Sequence, residues 1–164
     1  MKNYSSTTIP PERTKADIEK LLKEHGIKDI QWTTLHDESN LKFIHHFTLK
    51  GVEKTVGFEL RPPYIAKKVR QYNKKTYGYD IIEVPNDPQA YRLLFWYLKN
   101  MLLAVEYGMT TLEQVLMSHI IISLPSGEQI TLGKPLLQAI ESGTVEKLLS
   151  LPSTSRNEKK VIDV

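Results

Sequence analysis

The sequence predicts an α+β fold in which an antiparallel sheet packs on a long central helix. Strand candidates and helix candidates occur in separate clusters instead of alternating, which argues against a parallel sheet. A helix near the middle of the chain is apolar around most of its circumference, as expected of a helix that is contacted on several sides. With 164 residues, 40% hydrophobic and 25% charged, the chain has the composition of one globular domain. We expect that domain to span residues 1–151 and a flexible tail to span residues 152–164.

The first predicted elements are an amphipathic helix and an antiparallel sheet. Apolar residues recur at helical spacing within Pro10–Gly26, and Gly26 suits the left-handed position that ends a helix. Three runs that alternate apolar and polar residues then predict strands. These runs are Ile30–Leu35, Leu41–Leu49 and Val52–Leu60. We expect a polar turn at residues 37–40 and a two-residue turn at Lys50-Gly51.

The second half of the chain predicts the central helix, a further hairpin and short helices. Asn86-Asp87-Pro88 is typical of a helix start and Gly108 of a helix end, which bounds the central helix at Pro88–Tyr107. Thr110 and Glu113 have the spacing of a capping box that opens a short helix. The remaining predicted elements are strands Ile120–Leu124 and Gln129–Leu132 around a turn at 125–128, then helices Pro135–Glu141 and Thr144–Leu149.

A long basic connection, residues 61–86, joins the predicted sheet to the central helix. It shows little periodicity and is too long for a plain loop, so we expect a short helix or an excursion from the core. Between 61 and 79 it holds six basic residues, no acid and four tyrosines. Because cations attract phosphates and aromatic rings stack on unpaired bases, this pattern favours nucleic-acid binding; the alternative is a solvated loop whose tyrosines fold back onto the domain. The predicted binding residues here are Arg61, Lys67, Lys68, Arg70, Tyr72, Lys74 and Lys75.

Three charged residues interrupt the central helix at seven-residue intervals, namely Arg92, Lys99 and Glu106. Positions seven apart drift by only about 20° around an α-helix, so the three form one axial stripe, with Trp96 beside it. Two interpretations remain open. The stripe is the solvated edge of a core helix, or Arg92, Trp96 and Lys99 form a further contact with nucleic acid.

The sequence predicts no catalytic residue, no metal site and no cofactor. It has no cysteine, which excludes disulfides, thiolate zinc sites and cysteine nucleophiles. His45 and His46 are adjacent on a predicted strand and therefore point to opposite faces, with His45 expected as a hydrogen-bonded core histidine. The chain has neither a nucleophile-elbow motif nor a glycine-rich phosphate loop. Its longest apolar run, residues 93–105, is shorter than the roughly 20 residues that span a bilayer, and no apolar signal core opens the chain, so we expect a cytoplasmic protein without a membrane partner.

The order of one helix, three strands and a further helix resembles the core of the PD-(D/E)xK nucleases. In that family a carboxylate precedes an acid-x-lysine pair on the next strand, and together they hold a divalent metal and activate water. Glu59-Leu60-Arg61 stands in the place of the acid-x-lysine pair, with Asp37 or Glu38 upstream. Arginine replaces the lysine, and Asp37 lies in a predicted turn one strand early. The resemblance implies a divergent metal-dependent nuclease as a third functional interpretation.

Several stretches together resemble small proteins of phages and other mobile elements: TTIPPERTKADIEKLLKEHG, VGFELRPP, RLLFWYLKNMLLAVEYGMTTLEQVLMSHI and SGEQITLG. The resemblance implies a host-cell cytoplasm and an accessory role, such as handling nucleic acid or blocking a host defence protein. The leading prediction is a non-enzymatic accessory protein that binds nucleic acid, with single strands favoured. The alternative is a protein-binding or inhibitory module that acts on a host protein.

Overall fold

Four α-helices and seven strands make up the part of the chain that the computed structural model describes, residues 7–35 and 38–144. The helices are α1 Pro11–Glu24, α2 Asp87–Glu106, α3 Leu112–Val115 and α4 Gly133–Glu141, with a 3-10 turn at Met117–His119. The strands are β1 Asp29–Leu35, β2 Glu38–Leu49, β3 Val52–Leu60, β4 Ala66–Asn73, β5 Gly78–Pro85, β6 Ile121–Ser123 and β7 Gln129–Thr131. They form three antiparallel sheets, β1-β2-β3, β4-β5 and β6-β7, and this combination with the helices confirms the predicted α+β class.

The core lies between the three-stranded sheet and helices α1 and α2. The register of β2 and β3 places Phe43 opposite Phe58 and Leu41 opposite Leu60, and all four side chains are at most 2% exposed. The rings of Phe43 and Phe58 stack with their centroids 5.1 Å apart. The helices complete the same buried cluster with Ile18, Leu22, Leu94, Leu98 and Leu102. Full burial of one such side chain stabilises the fold by about 1.5–3 kcal/mol, so this cluster dominates stability.

Two predicted chain reversals occur where the sequence places them. Lys50 and Gly51 have φ of 51° and 79° and connect β2 to β3, as a two-residue turn with positive φ at both positions requires. Gly26 has φ of 81° after α1, where the Ile27 N–H donates to the Leu22 carbonyl at 3.1 Å. Both predictions are confirmed.

Helix α2 also starts and ends close to its predicted bounds. Just before Asp87, the Asn86 N–H donates to the Ile65 carbonyl at 2.7 Å, and its side-chain Nδ2 donates to Gln89 Oε1 at 2.9 Å. The bond to Ile65 holds the two ends of the 66–85 segment next to each other. After α2, Gly108 has φ of 69° and ends the helix. No helix in the described ranges is both long enough and apolar enough to cross a membrane.

The predicted capping box is wrong by one residue. Thr111 Oγ1 accepts from the Gln114 N–H at 3.3 Å, and Gln114 Oε1 accepts from the Thr111 N–H at 3.2 Å. The box was expected at Thr110 and Glu113, but α3 begins one residue later than that spacing implies. The Glu113 carboxylate is therefore available for a bond to another part of the chain.

The predicted turn at residues 37–40 is wrong for its last three residues. Residues 38–40 belong to β2, where Ser39 pairs with Thr34 of β1. Pairing of the backbone N–H and C=O groups with β1 outweighs the turn preference of these polar side chains. Asp37 lies outside the described residues.

The C-terminal elements agree with prediction as far as they are described. β6 and β7 form the predicted hairpin, closed by the Leu124 N–H donating to the Glu128 carbonyl at 2.9 Å. Helix α4 begins at Gly133, slightly before the predicted Pro135. Apart from Thr144, the predicted helix Thr144–Leu149 lies outside the described residues, as does the predicted tail 152–164.

Candidate nucleic-acid interface

Residues 66–85, predicted as part of an irregular connection, form an antiparallel β-ribbon that we call the arm. Its strands β4 and β5 pair from Ala66 with Pro85 to Asn73 with Gly78, and with no other strand in the described part of the chain. Eight paired residues at about 3.4 Å each make the arm about 27 Å long. An excursion from the core is thus confirmed, whereas a short helix in this segment is wrong.

The loop at the end of the arm, residues 74–77, is organised by Asn73. Asn73 Oδ1 accepts from the Lys75 N–H at 2.9 Å, and its Nδ2 donates to Asp80 Oδ2 at 2.6 Å. Tyr77 adopts a φ of 50° and is 85% exposed. The loop therefore presents two lysines and an aromatic ring to solvent at the end of the ribbon opposite its base.

The two faces of the arm differ in exposure. Cross-strand partners share a face, and one face, which we call the open face, consists of exposed residues along its whole length. Its central members are Lys68, Arg70 and Tyr72 on β4 and Glu83, Ile81 and Tyr79 on β5. On the other face Val69, Ile82 and Val84 are half-buried. The rings of Tyr72 and Tyr79 meet edge to face with centroids 5.5 Å apart, and neither folds back onto the domain.

The arm and its flanks concentrate the positive charge of the protein. Residues 61–86 hold six basic and two acidic residues, whereas the whole chain holds 22 and 19. The rest of the chain therefore has sixteen basic against seventeen acidic residues and no excess of positive charge. All six cations precede residue 76, while both acids, Asp80 and Glu83, lie on β5. Within the arm the acids therefore lie on β5 and the cations on β4 and the loop. Within the whole chain, the excess of positive charge lies in residues 61–86.

The structure brings some of the predicted binding residues together and separates others. The open face and the adjoining loop contain Lys68, Arg70, Tyr72, Lys74 and Lys75. Lys67 lies on the opposite face, because neighbouring residues of a strand point to opposite sides. Arg61 lies before the arm, where its Nε and Nη2 donate to Glu59 Oε1 at 3.2 and 3.0 Å.

Arg92, Trp96 and Lys99 lie on α2, outside the arm. The Arg92 guanidinium donates to Asp17 Oδ2 at 3.0 Å, its side chain is 17% exposed, and it lies 4.8 Å from the centre of the Phe95 ring. Lys99 Nζ lies 4.9 Å from the centre of the Trp96 ring. Both cations therefore contact groups within the protein, and the interpretation of the whole stripe as a solvated edge is wrong at Arg92.

A cleft of about 410 Å³ contains the residues that resemble a nuclease site. It is lined by Glu59, Arg61, His119 and Lys134 among others. Arg61 donates to the Glu59 carboxylate, and Lys42 Nζ lies 3.5 Å from its second oxygen. Two cations thus balance the acid that the resemblance assigns to a metal. Within residues 7–35 and 38–144, no group of three histidine, aspartate or glutamate side chains is placed to hold a metal ion.

His119 lies in this cleft as a hydrogen-bonded, neutral histidine. Its Nε2 is 3.0 Å from the Tyr97 hydroxyl. Burial lowers the pKa of His119 below its ordinary value, opposed in part by a bond to the backbone of Glu59, and burial raises the pKa of Tyr97. Both groups are therefore uncharged at neutral pH and form a neutral pair beside the Glu59 ion pairs.

A second cleft, of about 610 Å³, contains a histidine–glutamate pair. His45 Nδ1 and Glu113 Oε1 are 2.8 Å apart, and the imidazole stacks on Phe47 with centroids 5.7 Å apart. Burial acts to raise the pKa of Glu113, but bonds to its own backbone, to Thr111 and to His45 lower it overall. The predicted hydrogen-bonded role of His45 is confirmed, although the residue is only half-buried, and His46 points to the other face of the sheet.

Comparisons with known proteins give no match among family models, curated proteins or solved structures. Function is therefore inferred from the chemistry of the residues. Among the surfaces described above, the arm combines a fully exposed face, an excess of cations and unburied aromatic rings.

Sequence reasoning missed the β5 half of the open face. Tyr79 and Ile81 lie beside Tyr72 and Arg70 because β4 and β5 pair, and the pairing was not predicted. The available signal was composition, since six β-branched or aromatic residues fall within the two eight-residue strands, on either side of a polar loop that ends at Gly78.

Proposed function

We propose that the protein is a non-enzymatic accessory protein that binds nucleic acid through the arm. The observation that carries the proposal is the joint presence of net positive charge and exposed tyrosines on one projecting ribbon. Neither property is needed for folding, because the residues of the open face are exposed and lie outside the buried core. A surface of this kind is typical of a binding site.

The charge of the arm supplies attraction to phosphate. Each lysine or arginine that contacts a phosphate releases condensed counterions, which makes binding favourable at low salt and weaker as salt rises. Residues 61–86 have six basic residues against two acidic ones, while the rest of the chain has no such excess. Attraction to a polyanion is therefore directed to the arm.

The tyrosines supply a second contribution that charge alone does not give. Tyr72, Tyr77 and Tyr79 are 49%, 85% and 72% exposed. Stacking of one base on an aromatic ring contributes about 1–3 kcal/mol and tolerates any base. A ribbon with both cations and rings thus favours nucleic acid over an anion without planar groups.

The proposal includes the setting that the phage and mobile-element resemblance implies, the cytoplasm of a host cell. There the protein would handle nucleic acid without cleaving it. The protein-binding alternative is separated from this proposal by the titration described next.

Fluorescence anisotropy with labelled DNA and RNA oligonucleotides tests the proposal. We expect binding at low salt and a loss of about 10³–10⁵ in affinity between 50 and 200 mM salt if six or more phosphates are contacted, with a smaller loss for fewer. Exchanging the four arm lysines for glutamate, at Lys67, Lys68, Lys74 and Lys75, should abolish binding. A matched variant with the same charge change away from the arm replaces Lys20, Lys23, Lys28 and Lys54, all exposed.

The matched variant separates a site from a general charge effect. Binding that survives in it and disappears in the arm variant supports the arm, whereas equal losses in both would contradict it. Wild-type protein that binds no oligonucleotide at low salt would favour a protein partner.

The absence of catalysis is tested on the same oligonucleotides. With magnesium or manganese present we expect them to remain intact, because the Glu59 carboxylate is paired with Arg61 and Lys42. Cleavage that disappears in Glu59→Ala, with the fold preserved, would replace this proposal by the nuclease interpretation.

A further inference from the structure

The open face of the arm is divided lengthwise into two rows of different chemistry. The β4 row presents Lys68, Arg70 and Tyr72, and the β5 row presents Glu83, Ile81 and Tyr79. Ile81 and Tyr79 are 68% and 72% exposed, so the β5 row offers apolar surface next to the cations. The loop lysines follow directly on the β4 row. The face is therefore cationic on one side and largely apolar on the other.

The spacing of the β4 row suits an extended strand of nucleic acid. Side chains two residues apart on one face of a strand are separated by about 6.8 Å. Stacked nucleotides in a duplex advance by only about 3.4 Å along each strand. A strand that follows this row is consequently extended and its bases are unstacked, which is the state in which bases can stack on tyrosine rings.

The position of the acids opposes binding within a duplex groove. A ribbon seated in a groove has a phosphate strand along each of its two edges. The β5 edge would then bring Glu83 and Asp80 towards the second phosphate strand, and like charges in contact are unfavourable. A single strand avoids this repulsion, because its phosphates need only the β4 side.

We infer that the arm binds a single strand of nucleic acid, DNA or RNA, with the phosphates along β4 and the bases on Tyr79 and Ile81 of β5. The inference rests on the proposed function and specifies its substrate class and the orientation of the strand across the ribbon.

Exchanging one charged pair between the two strands tests the orientation. Lys68 and Glu83 are cross-strand partners with Nζ and Oε1 3.9 Å apart, and both are well exposed. The double variant Lys68→Glu/Glu83→Lys keeps the net charge and the pair but moves the cation to β5. We expect weaker binding to an oligo(dT) of about 15 nucleotides, and a slope of log K against log salt that is shallower by about 0.7, the contribution of one phosphate contact on a single strand.

The single variants supply the control for net charge. In the proposed orientation Lys68→Glu weakens binding, while Glu83→Lys changes single-strand binding little. If only net charge matters, the double variant binds as the wild type does and the two single variants have equal and opposite effects. That result would overturn the orientation.

The predicted stacking of nucleotide bases on β5 is tested at Tyr79. Removing the ring in Tyr79→Ala should weaken single-strand binding by about 5- to 150-fold, the equivalent of one stacked base, with the salt slope unchanged. Tyr79→Phe keeps the ring and should retain affinity. Equal losses in both variants would mean that the hydroxyl, and not stacking, makes the contact.

Titration of oligo(dT), oligo(U) and a DNA duplex at one salt concentration tests the substrate class. Tighter binding of either single strand than of the duplex supports the inference, and the two single strands together show whether DNA or RNA is preferred. Duplex binding that equals or exceeds single-strand binding overturns the inference but leaves the proposed function intact. Failure of all three probes to bind overturns the proposed function itself.

Discussion

Two hairpins of this protein share their topology and differ in their surroundings. In both the β2–β3 hairpin and the arm, consecutive antiparallel strands carry a cross-strand aromatic pair. Phe43 and Phe58, with centroids 5.1 Å apart, are buried beneath α2, while Tyr72 and Tyr79, with centroids 5.5 Å apart, are exposed. The same kind of cross-strand pair thus serves the core in one hairpin and faces solvent in the other.

The difference lies in what each hairpin packs against. One face of β2–β3 is buried at Leu41, Phe43, Phe58 and Leu60, so the loss of one of these side chains leaves a cavity. The open face of the arm has no packing partner in the described part of the chain. Packing therefore does not constrain its residues, which can contact another molecule. Stability and binding are therefore expected to reside in different hairpins.

The largest expected effect is the loss of a core ring. Phe58→Ala should reduce the free energy of unfolding by about 3–5 kcal/mol, because Phe58 is fully buried and its removal leaves a cavity. Tyr79→Ala should cost no more than about 1 kcal/mol, the value of one cross-strand pair. Urea denaturation of both variants measures the contrast. Similar losses at the two positions would show that the arm belongs to the core.

The same contrast explains how much of the fold the sequence predicts. At one end of β2 and β3 the buried residues Leu41, Phe43, Phe58 and Leu60 alternate with more exposed ones, so the strands are visible in the sequence. The open face of the arm is exposed and its other face is only half-buried, so AKKVRQYN and GYDIIEVP show no clear alternation of apolar and polar residues, and these strands were missed. Turns that need positive φ, such as Lys50-Gly51, were predicted because the required residue types are few.

Long-range polar contacts were beyond prediction for a different reason. Arg92 bonds to Asp17, 75 residues away, and Glu113 to His45, 68 residues away. Hydrophobic periodicity assigns each of these residues to a helix or a strand, but it does not indicate which distant residue the side chain contacts. The cations of the arm were identified from composition alone, since a charge excess is visible without knowing the fold.

Arg92 should behave as a residue of the core region. Arg92→Ala should cost about 1.5–3 kcal/mol of stability, the value of a hydrogen bond between charged groups, because the guanidinium is mostly buried against α1. A double-mutant cycle with Asp17→Ala measures the coupling in thermal or urea unfolding. No coupling between the two positions would mean that the pair is solvated and that Arg92 is available to a ligand.

Lys99 should have a smaller effect of the same kind. Its ammonium lies 4.9 Å from the centre of Trp96 and 6.0 Å from that of Phe95, and such a cation–π contact contributes about 0.5–1 kcal/mol. We expect Lys99→Ala to lower stability by that amount and to leave oligonucleotide binding unchanged. If stability holds and affinity falls, Lys99 belongs to the binding surface, as the second interpretation of the stripe predicts.

The bond between His45 and Glu113 ties the β2–β3 hairpin to α3 and should make stability depend on acid. Burial opposes ionisation of Glu113, but its bonds lower its pKa below the ordinary value of 4.5. A lowered folded pKa contributes stability that is complete above the ordinary value and is lost as pH falls through the folded one. Compared with the wild type, Glu113→Gln should therefore lose less stability as the pH falls from above the ordinary value of 4.5 through the lowered folded pKa. Parallel pH profiles for the two proteins would contradict the shift.

Removal of the whole arm, the largest change to the chain, is expected to have only a small effect on stability. Ile65 and Asn86 are joined by a backbone bond of 2.7 Å, so a short glycine turn can replace residues 66–85 without moving β3 or α2. Since no residue of the arm is fully buried, we expect the free energy of unfolding to change by no more than about 1 kcal/mol, while nucleic-acid binding disappears. Urea denaturation and an oligonucleotide titration on the same variant measure the two quantities.

A shortened protein that is much less stable would show that the half-buried face of Val69, Ile82 and Val84 supports the domain. A shortened protein that still binds nucleic acid would show that the binding surface lies outside the arm.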